Sequence, residues 1–183
     1  MTTALFALLA LLAAAPGPDI ELYDLDGRLQ RTSRIRAEEG VRLVAIDFFS
    51  TACEPCRKAI PEWVRLHDAW RDKGLRVVVV ALPAGDDREA ERIAVRRFFG
   101  VPAVPGATPV PFPVLWDKYG VVSREWGVAD KAGARLPAAF LFDRDGTLLL
   151  RADGHAAVVR EVEGRLGYGS SPEPGSRSAS QDR

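Results

Sequence analysis

Cys53 and Cys56 are the only cysteines in the chain, and they stand together as Cys53-Glu54-Pro55-Cys56. Two sulfurs at this spacing can close a disulfide or open to two thiols, which is the chemistry of two-electron exchange with another thiol or disulfide. The setting matters more than the spacing, because the pair falls between an apolar run and the first turn of a helical pattern. A sulfur at a helix start faces unpaired backbone N–H groups and the positive end of the helix dipole, which favours thiolate near neutral pH. Cys53 is therefore the expected nucleophile. Cys56, one turn on, is placed to attack a mixed disulfide at Cys53 and release the partner reduced. Pro55 stiffens the turn between them.

Other readings of the pair are weaker. A structural disulfide closing so short a loop would constrain the unfolded chain little. Half of a zinc site needs further ligands, yet there is no second cysteine pair, and His67 and His155 show no ligand spacing to the first. A pair of inert buried thiols suits neither the polar residues nor the proline of this helix start. No metal or organic cofactor is expected, the redox group being the Cys53–Cys56 pair itself.

The elements that must hold this pair can be read on either side of it. Val41 to Phe49 is too uniformly apolar for a surface strand and predicts a central strand covered on both faces, with Asp47 buried in it. From Glu54 to Asp72, Ile60, Trp63, Val64 and Trp70 mark the buried face of a helix, kinked at Pro61 and stopped at Gly74. Leu75 to Leu82 is a second apolar run, completing a βαβ unit with parallel pairing. Upstream, Asp24-Leu25-Asp26-Gly27 predicts the turn of an N-terminal hairpin between Ile20–Tyr23 and Arg28–Thr32. Downstream, Asp86 and Glu89 suggest a capping box for a helix burying Ala90, Ile93, Ala94 and Phe98, which Gly100 ends. Prolines between Val101 and Pro113 predict an extended connection, followed by a short helix near Lys118 to Trp126. Asp143-Arg144-Asp145-Gly146 predicts a hairpin joining Ala138–Phe142 to Thr147–Arg151, and Val158, Val159, Val162 and Leu166 form the inner face of a last helix.

These elements make one α/β domain over residues 20–167, within the ordinary size of a single core. Ala4 to Ala15 is an apolar run too short to span a bilayer and is read as an export signal over residues 1–15, although no Lys or Arg precedes it and Pro16 follows it. Residues 168–183 are polar and rich in Pro, Ser and Gly, and are expected to be a disordered tail. Lys plus Arg total 25 and Asp plus Glu also total 25, so no basic surplus points to nucleic acid. Membrane contact is expected only through the signal or an uncleaved N-terminus. The location implied is the periplasm or cell envelope.

Asp47-Phe48-Phe49-Ser50-Thr51-Ala52-Cys53-Glu54-Pro55-Cys56-Arg57-Lys58-Ala59-Ile60-Pro61 resembles the active-site segment of thioredoxin-like proteins, most closely the exported TlpA/ResA-type branch. The resemblance continues at Pro111–Asp117 and Leu136–Gly146 and covers Ile20 to Leu166. It implies a thioredoxin fold: a central mixed sheet flanked by helices, with an N-terminal β-hairpin and an insertion before the cis-proline strand. By position, Pro137 resembles the cis-proline that faces the disulfide and binds partner polypeptide as an added strand, with Leu136, Glu54 and Pro55 beside it. Asp47 matches the buried acid that takes the proton of the resolving cysteine. The departures are Ala52 and Phe49 where tryptophan is frequent, and Ala59 where ResA-like proteins carry a functional Glu.

The activity so implied is thiol–disulfide exchange with exported partners, working reductively as in cytochrome c maturation or copper-centre assembly. Electrons would come from a membrane carrier of the DsbD/CcdA type. A peroxiredoxin-like peroxidase fits poorly, since Thr51 stands two residues before Cys53 and not three. A Sco-type copper chaperone needs Cys-x-x-x-Cys and a placed histidine. A non-catalytic binding or chaperone module remains the alternative from a different class.

Overall fold

The computed structural model describes residues 19–101 and 108–167. The expected signal, the tail expected to be disordered and residues 102–107 of the proline-rich connection lie outside the described residues.

Uniformly apolar β-branched runs bury both faces of a strand, and two such runs lie at the centre of the molecule. Strand β3 (Leu43–Phe49) is buried at every position, and β4 (Leu75–Ala81) at all but Arg76. They pair in parallel, with Asp47 opposite Val79. Before them come β1 (Glu21–Tyr23) and β2 (Leu29–Arg31), the expected antiparallel hairpin, and α1 (Thr32–Ala37), a short helix that sequence reasoning left unassigned. Between β3 and β4 runs α2 (Glu54–Trp70), followed by a single 3-10 turn. The helix continues through Pro61, whose missing N–H leaves the Arg57 carbonyl without its usual donor four residues on. At Gly74 the backbone turns left-handed, and an added Cβ would lie 2.5 Å from the Gly40 carbonyl oxygen, so glycine is required there.

The second half holds α3 (Arg88–Phe98), β5 (Val114–Trp116), α4 (Val121–Glu125), a two-rung ribbon of β6 (Ala129–Asp130) and β7 (Gly133–Ala134), and the hairpin β8 (Ala138–Asp143) and β9 (Leu148–Ala152). Helix α5 (His155–Gly167) closes the fold. The principal sheet has the order β5-β4-β3-β8-β9, parallel through its first three strands and antiparallel beyond, which is the mixed sheet expected.

Period-two alternation along β3 sends its side chains to two cores. Leu43, Ala45 and Phe49 face α2, α3 and α5, where Ile60, Trp63, Val95, Phe99, Val158 and Val162 pack against them. Val44, Ile46 and Phe48 face Ile35, Val122 and Trp126 on the other side. Asp47 shares the parity of the first set and so points toward α2 and α5.

Two local expectations need correction. The cap of α3 is Asp87, not Asp86: its carboxylate accepts from the N–H groups of Glu89 and Ala90 at 3.2 and 3.0 Å. The buried face of that helix is Val95 with Phe99 and half-buried Phe98, whereas Ala90 and Ile93 are exposed. The aromatic pair at the C-terminal end sets the helix phase, because Phe98 and Phe99 both reach Phe49, at ring-centroid separations of 5.1 and 5.0 Å.

Candidate active site

The chain leaves β3 at Phe49 and needs four residues to reach α2. Ser50 is buried, its carbonyl accepts from the Cys53 N–H at 3.0 Å, and its hydroxyl accepts from the Ala52 N–H at 3.3 Å. Arg57, from the first turn of α2, donates to the Thr51 carbonyl and ties the loop to the helix. Cys53 is thereby fixed as the N-cap of α2, with Glu54 and Pro55 the first two helical residues. Proline is well tolerated there because its N–H would have no helical partner anyway.

Cys53 and Cys56 form a disulfide, S–S 2.07 Å, with their Cα atoms 5.3 Å apart. The two sulfurs differ in setting. Cys53 is half-exposed and Cys56 is 1% exposed. The Cys53 sulfur also accepts from the Cys56 N–H at 3.2 Å. The oxidised pair thus has an outer sulfur that a second molecule can reach and an inner one that it cannot.

The outer sulfur opens on a groove of about 600 Å³ lined by Ser50, Ala52, Glu54, Pro55, Pro83, Ala84, Gly133, Ala134 and Leu136. Leu136, Glu54 and Pro55 therefore gather around Cys53 as expected from their positions. The contributions of Pro83, Ala84 and the β6–β7 ribbon were not legible, because nothing in a two-residue strand marks it in sequence. The Glu54 carboxylate turns outward to Lys58 at 2.7 Å, an exposed pair one helical turn apart. The Leu136–Pro137 bond is cis, in the segment leading into β8.

Behind the disulfide lies a second cleft, of about 390 Å³, lined by Asp47, Pro55, Ala59, Pro137, Ala152, Asp153, Gly154, His155, Ala156, Ala157 and Arg160. Pro55 is common to both spaces. Asp47 is 2% exposed, and its Oδ2 has no hydrogen-bond partner among the described residues. Burial removes water from the ionised carboxylate, so its pKa stands well above the ordinary value, with only the neighbouring Trp63 indole N–H pulling the other way. That N–H is itself without a partner within hydrogen-bond geometry.

The tryptophans other than Trp70 are buried packing groups, as expected. His67 is buried against Phe112 at 5.5 Å between ring centroids, and burial holds its pKa below the usual value. His155 begins α5, as anticipated, but its place on the Asp47 cleft was not foreseen.

The sequence and the fold both have relatives. The chain is 26% identical over 137 residues to thiol-disulfide oxidoreductase ResA of Bacillus thuringiensis subsp. konkukian, a match covering 75% of this chain and 67% of that protein. It is 28% identical over 151 residues to thioredoxin-like protein YneN of Bacillus subtilis, covering 81% and 75%. A crystal structure described as a putative thiol:disulfide interchange protein DsbE from Chlorobium tepidum superposes with a TM-score of 0.59 at 27% identity, covering 84% of this chain and 94% of that one. The sequence profile of the AhpC/TSA family matches residues 13–151, so with its thioredoxin fold and redox cysteine pair the chain belongs to the AhpC/TSA family.

Proposed function

We propose that this thiol–disulfide oxidoreductase works reductively, passing two electrons from Cys53 and Cys56 to disulfides of exported partner proteins. The observation that carries the reading is the asymmetry of the pair, a half-exposed sulfur capping a helix and a buried one a turn inside it.

In the reduced protein, the Cys53 thiolate attacks a partner disulfide. One partner sulfur bonds to Cys53 and the other leaves as thiolate. The Cys56 thiol then gives its proton to Asp47, and its sulfur attacks the Cys53 sulfur of the mixed disulfide. The Cys53–Cys56 bond forms and the second partner thiolate leaves, so the pair is oxidised by two electrons and the partner reduced by two. Asp47 suits the proton step because burial raises its pKa well above the ordinary carboxylate value and so makes its carboxylate a stronger base. Leu136 and Pro137, with Glu54 and Pro55 across the groove, hold the partner's backbone as an added strand.

A reductive role requires an outside source of electrons, and a membrane carrier of the DsbD/CcdA type is the proposed donor. The proposed location is the periplasm or cell envelope, and apocytochrome c or a copper-centre assembly protein is the proposed substrate class. The relatives named for thiol–disulfide oxidoreduction and interchange support the chemistry.

Insulin reduction with dithiothreitol as electron source tests the activity. The wild-type protein is expected to turn over and Cys53→Ser to lose that turnover, and equal rates would favour a non-catalytic binding module. Direction is tested by equilibrating the pair with glutathione. A reductant should lie nearer the roughly −270 mV of thioredoxin than the roughly −120 mV of DsbA, and a value near the latter would make the protein an oxidant.

A further inference from the structure

Asp47 is sealed on the sheet side by its neighbours in β4 and β8, opposite Val79 and Ala139. Its way to solvent is the cleft under the β9–α5 connection, and the walls of that cleft are made of small residues: Ala59 from α2, Ala152 and Gly154 before α5, and Ala156 and Ala157 at its start. Gly154, with φ +117°, lies against cis-Pro137, where an added Cβ would be 3.5 Å from the ring, so the connection runs close over the site. Three ionisable or charged side chains line the cleft besides Asp47: Asp153, His155 and Arg160. Helix α2 contributes Pro55 and Ala59, and the turn into β8 contributes Pro137, none of them charged. His155 is half-buried, and its ring stands edge-on to Trp63 at 6.3 Å between centroids, the same tryptophan that neighbours Asp47. Among the described residues its imidazole makes no side-chain hydrogen bond, and neither ring nitrogen is a buried, unpaired atom.

We propose that Asp47 exchanges its proton with solvent through this cleft and that His155, at the rim, relays it. The proposal rests on the disulfide-exchange reading and completes its proton balance. Burial favours the protonated carboxyl, so Asp47 must give its own proton to solvent before it can take the one from Cys56, in the first turnover as in later ones, and the cleft is its route to bulk water. A water in the cleft takes the proton from the Asp47 carboxyl and passes it to a neutral His155 nitrogen, and the imidazolium releases it outside. Histidine suits this step because a neutral imidazole accepts a proton at one nitrogen and donates from the other. Asp153 and Arg160, exposed and of opposite sign, stand at the same opening. His155 touches neither sulfur and acts only through Asp47.

Reduced protein mixed with an aromatic disulfide, dithiobis(nitrobenzoate), separates the steps by absorbance. The first aryl thiolate appears when Cys53 attacks, and the second when Cys56 resolves the mixed disulfide. We expect His155→Gln and His155→Ala to leave the first phase unchanged and to slow the second about tenfold at neutral pH, less than the roughly 10²- to 10⁴-fold typical of proton-transfer catalysis because water still fills the cleft. Added imidazole should restore the second phase of His155→Ala, and the pH dependence of that phase should flatten in both variants. Ala157→Leu, which narrows the cleft with His155 in place, should slow the second phase alone. An unchanged second phase in His155→Gln, or no rescue by imidazole, overturns the relay. Full speed in Ala157→Leu overturns the cleft as the route. Absence of the first phase in the wild-type protein overturns the disulfide-exchange reading, and the relay falls with it.

Discussion

The Cys56 backbone N–H donates to the Cys53 sulfur at 3.2 Å, so the helix start that brings the two sulfurs together also supplies the outer one with a donor. A thiolate at Cys53 would keep that donor and the helix dipole after the disulfide opens. The two cysteines should therefore fail differently when replaced. Cys56→Ser, incubated with a disulfide substrate, should accumulate a stable mixed disulfide at Cys53, whereas Cys53→Ser should accumulate none. Mass spectrometry of the unreduced protein reads both outcomes, and trapping at Cys56 in the Cys53→Ser protein would reverse the assigned roles.

Asp47 gives a stability prediction with a definite sign. Its folded-state pKa is raised by burial, so the folded protein holds this proton more tightly than the unfolded chain does. Its contribution is fully present below the ordinary carboxylate pKa and is lost as pH rises toward the raised value, at about 1.4 kcal/mol per pH unit within that window. Asp47→Asn should therefore become progressively more stable than wild type as pH increases from about 4. Urea denaturation across that range measures the difference, and a difference independent of pH would mean that Asp47 ionises as freely in the fold as out of it.

The cap of α3 offers a local test of structure against pattern. Asp87→Ala removes the acceptor of two helix N–H groups and should cost about 1 kcal/mol. Asp86→Ala, at the position the capping-box spacing favoured, should lie within about 0.5 kcal/mol of wild type, as exposed substitutions generally do. Thermal melts of the two variants suffice, and an equal loss in both would contradict the observed cap.

Gly74 turns the chain from the end of α2 into β4. Gly74→Ala must hold a left-handed φ of 101° and bring a Cβ against the Gly40 carbonyl and the Arg42 side chain. The strained backbone alone should cost about 1–3 kcal/mol. Chemical denaturation should show the loss with the first phase of the aryl disulfide reaction preserved, since the position is remote from Cys53.

Long, strongly patterned segments carried their structure in the sequence. The unbroken apolar runs of β3 and β4 could be satisfied only at the centre of a sheet, and Asp-Gly at 26–27 and 145–146 marked the β1–β2 and β8–β9 turns. Short elements did not announce themselves. Helix α1 spans six residues and buries the polar Thr32 and Arg36 beside Ile35, which no apolar pattern marks, and β5 is three residues behind a run of prolines. The phase of α3 misled because Ala90, Ile93 and Ala94 look like a buried stripe, whereas the sheet is met by Val95 and by the aromatic rings of Phe98 and Phe99. At the site, the cysteines and Pro137 could be read from residue type and order, and both Cys53 and Cys56 stand where that reading put them. The Asp47 cleft could not, because it exists only where Ala59 and the Gly154–Ala157 segment, nearly a hundred residues apart in sequence, leave space between them.

The two flanks of the principal sheet are not alike. The outer side of β5 is occupied: Asp24 bridges to Leu115, and the Leu25 N–H donates to the Val114 carbonyl at 3.1 Å. On the opposite flank, β9 pairs among the described residues only with β8 and carries exposed Leu148 and Arg151 at its surface. A sheet that can accept a foreign strand on one margin alone can join one like itself and then has no margin left to offer. Association of this protein by that route would end at a pair of molecules and could not propagate into a fibre.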